Sequence, residues 1–264
     1  MIGRLKMNNI LVINNNINNY NDNNIKIENN TIYFKKSGKY NIKYDNTNTI
    51  DITYKLKDNI NITIDEYQNN ATPVNSNVKY LLGENSILNI NKFTINDTTK
   101  ETITIDLEGL NAEINYHFSN ISINQEKHHI IINHHAPKTV SNIINRTIST
   151  NDATIDYTID SILPKNNYGC ILNQETKIIT NDSSNCYIRP NMFIDEEDVD
   201  ARHASYIGKF KEEELFYLMT RGLSLKESIK LLVKGYILSN IKVEEDLEKI
   251  IINDINKYWR WLNE

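Results

Sequence analysis

The chain has 264 residues, enough to bury a sizeable core, and a formal charge of −5 that offers no basic footprint for nucleic acid or an anionic membrane. Its two cysteines, Cys170 and Cys186, have neither a CxxC spacing nor the density of a disulfide framework, which fits reduced thiols in a cytoplasmic setting. No apolar run has the length of a membrane span, and the apolar stretch near the N-terminus is too short for a signal-peptide core.

Asparagine and isoleucine together make up roughly a third of the residues, well above ordinary usage. Drift in an AT-rich genome accounts for such a bias without a structural cause. A structural account exists beside it: asparagine is normally depleted in strands, yet stacked coils can hold it in hydrogen-bonded ladders.

Residues 1–30 include NNNINNYNDNN and read as an Asn-rich leader with one short strand at Ile10–Ile13. From Thr31 the pattern becomes period-two alternation, as in INITIDEY, where Ile60, Ile62 and Ile64 share one face and Asn61 and Thr63 the other. The rhythm continues through SILNINKFTI, ETITIDLEGL, AEINYHFS, HHIIINHH, TVSNIINRTI and ATIDYTIDSIL, which marks residues 31–207 as a β domain. Eight glycines and four prolines must serve all the turns, and NG or DG hairpin signals are missing, so asparagine and aspartate have to supply the left-handed turn positions. A parallel β-helix explains this better than a sandwich or jelly roll, which stays as the alternative.

After Gly208 the period becomes helical, and residues 208–264 read as a C-terminal helical domain. KEEELFYLMT aligns Leu215, Leu218 and Met219 behind an acidic first turn, with Gly222 as its stop. Ser224 and Glu227 stand at capping-box spacing before Ile229, Leu232, Val233, Tyr236 and Ile237, a stripe that should end near Ser239–Asn240. A last helix from about Val243 lines up Leu247, Ile250, Ile251, Ile255, Tyr258, Trp259 and Leu262, a face expected to dock on the β domain or to meet a partner.

Two blocks of residues carry a resemblance. Pro190 to Gly208 reads P-x-x-x-I-x-x-x-D-V-x-x-x-H-A-S-x-x-G, and E-E-L-F-Y-L-M-x-R-G-L-S follows it to Ser224. Together with HHAPKTVS at His134–Ser141, which is similar to a His-x-x-Pro-x-Thr-x-Ser segment, these resemble the SufB/SufD family of iron–sulfur cluster assembly scaffolds, and SufD most. The resemblance covers roughly the last half of the chain and implies a right-handed parallel β-helix with a C-terminal helical region that docks the ATP-binding-cassette ATPase SufC. It also implies pairing through the β-helix with SufB or with a second copy. The helical N-terminal domain common in the family has no counterpart in this chain's pattern, which reads as a shortened version.

For individual residues, the resemblance implies that His203 lies at a scaffold interface where a cluster is held or built, and Cys186 is the thiol nearer to it. Many SufD members carry a cysteine two places before this histidine, where Ala201 stands. Phe216, Tyr217, Arg221 and Gly222 correspond to the segment that engages SufC, and His135, Pro137, Thr139 and Ser141 to a structural block. Two thiols fall short of the four a one-chain cluster needs, so no cofactor is expected to be stably bound by this chain alone, only a transient cluster shared with a partner. Cys170 is expected in the core, the pairs His128–His129 and His134–His135 to split between faces, and Asp195–Asp198 to form a solvated turn. No phosphate loop or nucleophile elbow occurs, so the chain is expected not to be an enzyme and ATP hydrolysis to belong to the partner. Two further readings are a secreted or surface β-solenoid carbohydrate-active enzyme or adhesin, and a degenerate scaffold paralogue without cluster chemistry.

Overall fold

The computed structural model describes residues 8–13, 16–19, 24–45, 47–150, 153–180 and 185–258. Trp259 and Leu262 of the expected last-helix face lie outside them. Among the described residues, seventeen strands precede three helices. The first six strands are β1 (Asn8–Ile13), β2 (Asn16–Asn19), β3 (Ile25–Glu28), β4 (Thr31–Phe34), β5 (Gly38–Asp45) and β6 (Thr49–Leu56). Then come β7 (Asn61–Asn70), β8 (Val74–Leu82), β9 (Ile87–Asn96), β10 (Thr98–Leu107), β11 (Glu113–Ser122) and β12 (Gln125–His134). The last five are β13 (Val140–Ser149), β14 (Thr154–Leu163), β15 (Cys170–Ile179), β16 (Asn185–Ile194) and β17 (Val199–Gly208), before α1 (Glu212–Thr220), α2 (Leu225–Leu238) and α3 (Glu245–Tyr258).

Alternate strands stack into two parallel sheets. One runs β17-β15-β13-β11-β9-β7-β5-β1-β2 and the other β16-β14-β12-β10-β8-β6-β4-β3, which makes a β-solenoid and excludes the sandwich. Ile62 pairs with Leu88 and Leu88 with Ile114, a coil repeat of 26 residues. Strands β1, β2 and β3 fall within the Asn-rich residues 1–30, the first of them over the expected Ile10–Ile13. There β1 pairs β2, and β3 pairs β4, antiparallel, so the N-terminal end of the solenoid finishes in two reversed strands.

The alternation expected from the sequence sorts the side chains. Ile60, Ile62 and Ile64 are buried in the lumen while Asn61 and Thr63 are not. Because identical faces stack, like residues meet coil after coil: Tyr54 lies on Tyr80 with ring centroids 5.1 Å apart, and Ile103 sits in register with Ile130.

Asparagine does two jobs in this stacking. Asn59, Asn85 and Asn111 take positive φ at equivalent corners, where their side-chain amides chain together, Asn85 Nδ2 to Asn59 Oδ1 at 3.2 Å and Asn111 Nδ2 to Asn85 Oδ1 at 2.8 Å. On the outer face of the β7 sheet a second ladder runs Asn61–Asn89–Asn115–Asn142–Asn173, each amide donating to the one below at 2.7–3.2 Å. The corners are tight. A Cβ on Gly109 would stand 2.1 Å from the backbone nitrogen of Glu84 in the preceding coil. Gly109→Ala is therefore expected to cost roughly 1–3 kcal/mol by forcing coils apart, read as a lower urea midpoint at unchanged slope.

Helices α2 and α3 cover the outer face of the β7 sheet. Val233, Ile237, Ile251 and Ile255 bury against Phe93, Ile95, Ile121 and Ile148, each such side chain worth roughly 1.5–3 kcal/mol. Ser224 and Glu227 form the expected capping box, α2 stops at Leu238, and α3 docks as expected, with Tyr67 donating to Asp254 Oδ2 at 2.5 Å. Ile250, expected on the docking face, is exposed instead, because Ile251 and Ile255 turn toward the sheet. Between the helices, Asn240 Nδ2 donates to Phe118 O and Ser119 Oγ, while Asn91 Oδ1 accepts from Lys242 N and its Nδ2 donates to Lys242 O and to Asp65 Oδ1.

Candidate functional site

The two last strands, β16 and β17, are ten residues long and have no further strand partner among the described residues. Large apolar side chains stand open on them: Tyr187, Phe193, Tyr206 and Ile207. A long edge with exposed apolar residues is a template for another strand.

His203 lies mid-strand in β17, exposed, in register with Gln174 of β15. Ala201 and Val199 pack against Leu163, Cys170 and Leu172, so by strand alternation His203 faces the same luminal side at the open end. Beneath it Gln174 is buried and donates to Ser161 Oγ at 2.7 Å. Cys186 opens β16 beside the corner, half-buried against the main core and near Thr180 and Ser149. Burial pushes its thiol up, against the hydrogen bonds to those two hydroxyls, so the proton must be displaced before sulfur can act as a ligand. No group of three or more metal-ligating side chains converges among the described residues, and His203 and Cys186 are not assembled with further ligands.

The other expected residues sort as follows. Cys170 is a core thiol, 3.2 Å from Thr139 Oγ1 and 3.1 Å from the Asn167 carbonyl. The histidine that ties the HHAPKTVS block together is His134, and His135 does not join it. His134 Nδ1 is 2.7 Å from Thr139 Oγ1 and its Nε2 3.0 Å from Ser141 Oγ, while His135 is exposed beyond the strand end, 3.5 Å from Asp106. Alternation decides this, since His134 closes β12 on its luminal face. Burial, and next the charge of His135, push His134 down to about 4, so its imidazole is neutral and can both donate and accept. Pro137 sits in the same corner, where its carbonyl accepts from Asn111 N. His128 is buried and His129 half-exposed on Asp160, so the adjacent pair shares no site. Glu196 accepts from the backbone of Asn166, Glu197 and Asp198, a solvated turn.

Helix α1 has no buried residue. Phe216 is 70% exposed, Tyr217 57%, and Met219 and Leu225 also stand open, while Leu215 and Leu218 are half-buried. Arg221 lays its guanidinium over the Tyr217 ring at 5.3 Å, and Gly222, at φ +94°, turns the chain and donates to Met219 O.

What sequence reasoning missed lies inside the solenoid. Glu66, Lys92, Glu101, Glu126 and His128 are all buried in the lumen, and only the coil repeat could have brought them together.

Residues 46–236, most of the solenoid with α1 and nearly all of α2, match the SufBD core domain of SUF-system iron–sulfur cluster assembly. The chain belongs to the SufBD family. Curated relatives described as iron–sulfur cluster assembly SufBD family proteins occur in Staphylococcus aureus (strain USA300), Staphylococcus haemolyticus (strain JCSC1435) and Staphylococcus epidermidis (strain ATCC 35984). Each is 33% identical to this SufBD chain over 106 residues, which is 39% of the chain and 23% of the relative. The β-solenoid and the terminal helices of this SufBD protein agree with the fold that its sequence resemblance implied. No described helix is long and apolar enough to cross a membrane.

Proposed function

We propose that this SufBD chain is a non-catalytic scaffold subunit of an iron–sulfur cluster assembly complex. Its solenoid pairs with a SufB-like scaffold, or with a second copy, through the β16 and β17 edges, and its α1 surface receives a SufC-like ATPase. The observation that carries the reading is the open surface at one end: two ten-residue edge strands with no further strand partner among the described residues, beside a helix with no buried residue. At the opposite end of the sheets the edge strands β2 and β3 are only four residues long, and α2 and α3 cover the β7 sheet.

In this reading, nucleotide-driven closure of the ATPase pair shifts α1 and, through the β17–α1 link, the open edge where His203 stands. A neutral imidazole ligates iron, and the remaining ligands come from the partner, with Cys186 contributing once deprotonated. Ala201 beside His203 supports a second version, a paralogue that keeps the partners without the chemistry.

Co-expression with SufB and SufC, followed by anaerobic purification, tests this. Co-elution of all three with iron–sulfur absorbance is expected, and His203→Ala should lower the absorbance while leaving co-elution intact. Failure to associate with SufC overturns the scaffold reading. Association with unchanged cluster loading in His203→Ala removes only the histidine, and association without any cluster selects the paralogue.

A further inference from the structure

Two columns of buried polar residues face each other inside the central coils. In the β7 sheet, Glu66 is in register with Lys92, and Lys92 with Phe118, whose ring lies 5.3 Å from the ammonium. In the opposite sheet, Ser76 is in register with Glu101, Glu101 with His128, and His128 with Tyr157, on whose ring the imidazole stacks at 4.8 Å. Across the lumen Lys92 bonds Glu101. His128 bridges two carboxylates, Nδ1 to Glu101 at 3.2 Å and Nε2 to Glu126 at 2.8 Å.

These charges are all but closed to solvent, so they must nearly cancel. Lys92 and imidazolium His128 supply two positive charges, and Glu101 and Glu126 two negative. Glu66 is a fifth group with no cation of its own, because the Lys92 ammonium is committed to Glu101. Tyr80 Oη donates to Glu66 Oε1 across a long 3.4 Å. The titratable groups facing Glu66 are Tyr44 of β5, Tyr54 of β6, Tyr80 of β8, Lys92 of β9, Glu101 of β10 and Tyr116 of β11: one carboxylate, the ammonium already bonded to it, and four phenols.

We propose that the solenoid stores a proton in its lumen: the chain folds around Glu66 in the carboxylic-acid form, and ionising this one group loosens the central coils. The electrostatics agree in direction. Burial raises the Glu66 carboxyl to about 6, with Lys92 opposing and Glu101 reinforcing. A raised folded value means that the stabilisation is fully present below the unfolded value of 4.5 and is lost as pH rises through about 6. The switch therefore works on the acid side of neutrality, and it is distinct from His128, whose proton leaves only in alkali.

Urea unfolding of the wild type and Glu66→Gln between pH 4.5 and 7 tests it. Glutamine mimics the neutral acid at every pH, so the folding constant of Glu66→Gln relative to wild type should rise roughly fifteenfold from pH 4.5 to pH 7. A ratio that is flat or falls overturns the proposal. Carbon-13 NMR of glutamate-labelled wild-type protein gives a reading that needs no variant. One carboxyl should titrate near pH 6, and a set of glutamates that all titrate below pH 5 overturns it equally.

Discussion

His128→Leu is expected to destabilise the solenoid by about 3–5 kcal/mol, the cost of leaving buried carboxylates without the cation that bridged them. The imidazole bridges Glu101 and Glu126, at 3.2 and 2.8 Å, and Glu126 Oε1 has no hydrogen-bond partner among the described residues. Leucine fills much of the volume and keeps contact with Phe118 and Tyr157, so the loss reports charge more than cavity. The pH dependence separates it further. Burial works against the imidazolium, but hydrogen bonds to Glu101 and Glu126 outweigh it and raise His128 to about 9 from 6.5. Its stabilisation is thus complete below pH 6.5 and lost as pH rises through about 9. Wild-type stability should fall between pH 7 and pH 9.5, and that fall should vanish in His128→Leu. An equal fall in both proteins would show that His128 is not the buried cation.

The second large effect belongs to α1. If α1 receives a SufC-like ATPase as proposed, Phe216→Ala and Tyr217→Ala should each weaken that binding tenfold or more, as aromatic anchors at an interface do. Both side chains are mostly exposed and α1 rests on the chain through the half-buried Leu215 and Leu218 instead, so the isolated chain should keep its stability within about 0.5 kcal/mol. Calorimetric titration with the ATPase and thermal unfolding of the free variants distinguish the two quantities. Unchanged affinity in both variants would place the docking surface elsewhere. A large loss of stability would mean that these rings pack within the chain.

The parts of the fold that were legible are those that one element can announce. Ile60, Ile62 and Ile64 declared a buried face by alternation, and Ser224 with Glu227 declared a helix start three residues apart. The scarcity of glycine pointed to asparagine at the corners, and Asn59, Asn85 and Asn111 hold positive φ there. The signature around His203 was readable as a family resemblance because its residues are contiguous. Less legible were contacts that depend on how one coil sits over the next. His134 and His135 are adjacent, and only the phase of β12 decides which enters the corner with Thr139 and Ser141. Glu101 and His128 are 27 residues apart, and they meet because the turns between them set the length of that coil.

Sequence alone therefore determined the faces, the order of strands before helices, and the composition that lets asparagine turn and stack, since these follow from backbone geometry and side-chain chemistry over a few residues. Tertiary structure decided which charges share the lumen, which α3 side chains meet the sheet, and that the unpaired edges and α1 gather at one end. Those outcomes rest on the register between coils. A shift of one residue in a single turn would move Glu101 or His128 from the paired lumen to the solvent-facing side, and Lys92 onto the face that α2 and α3 cover.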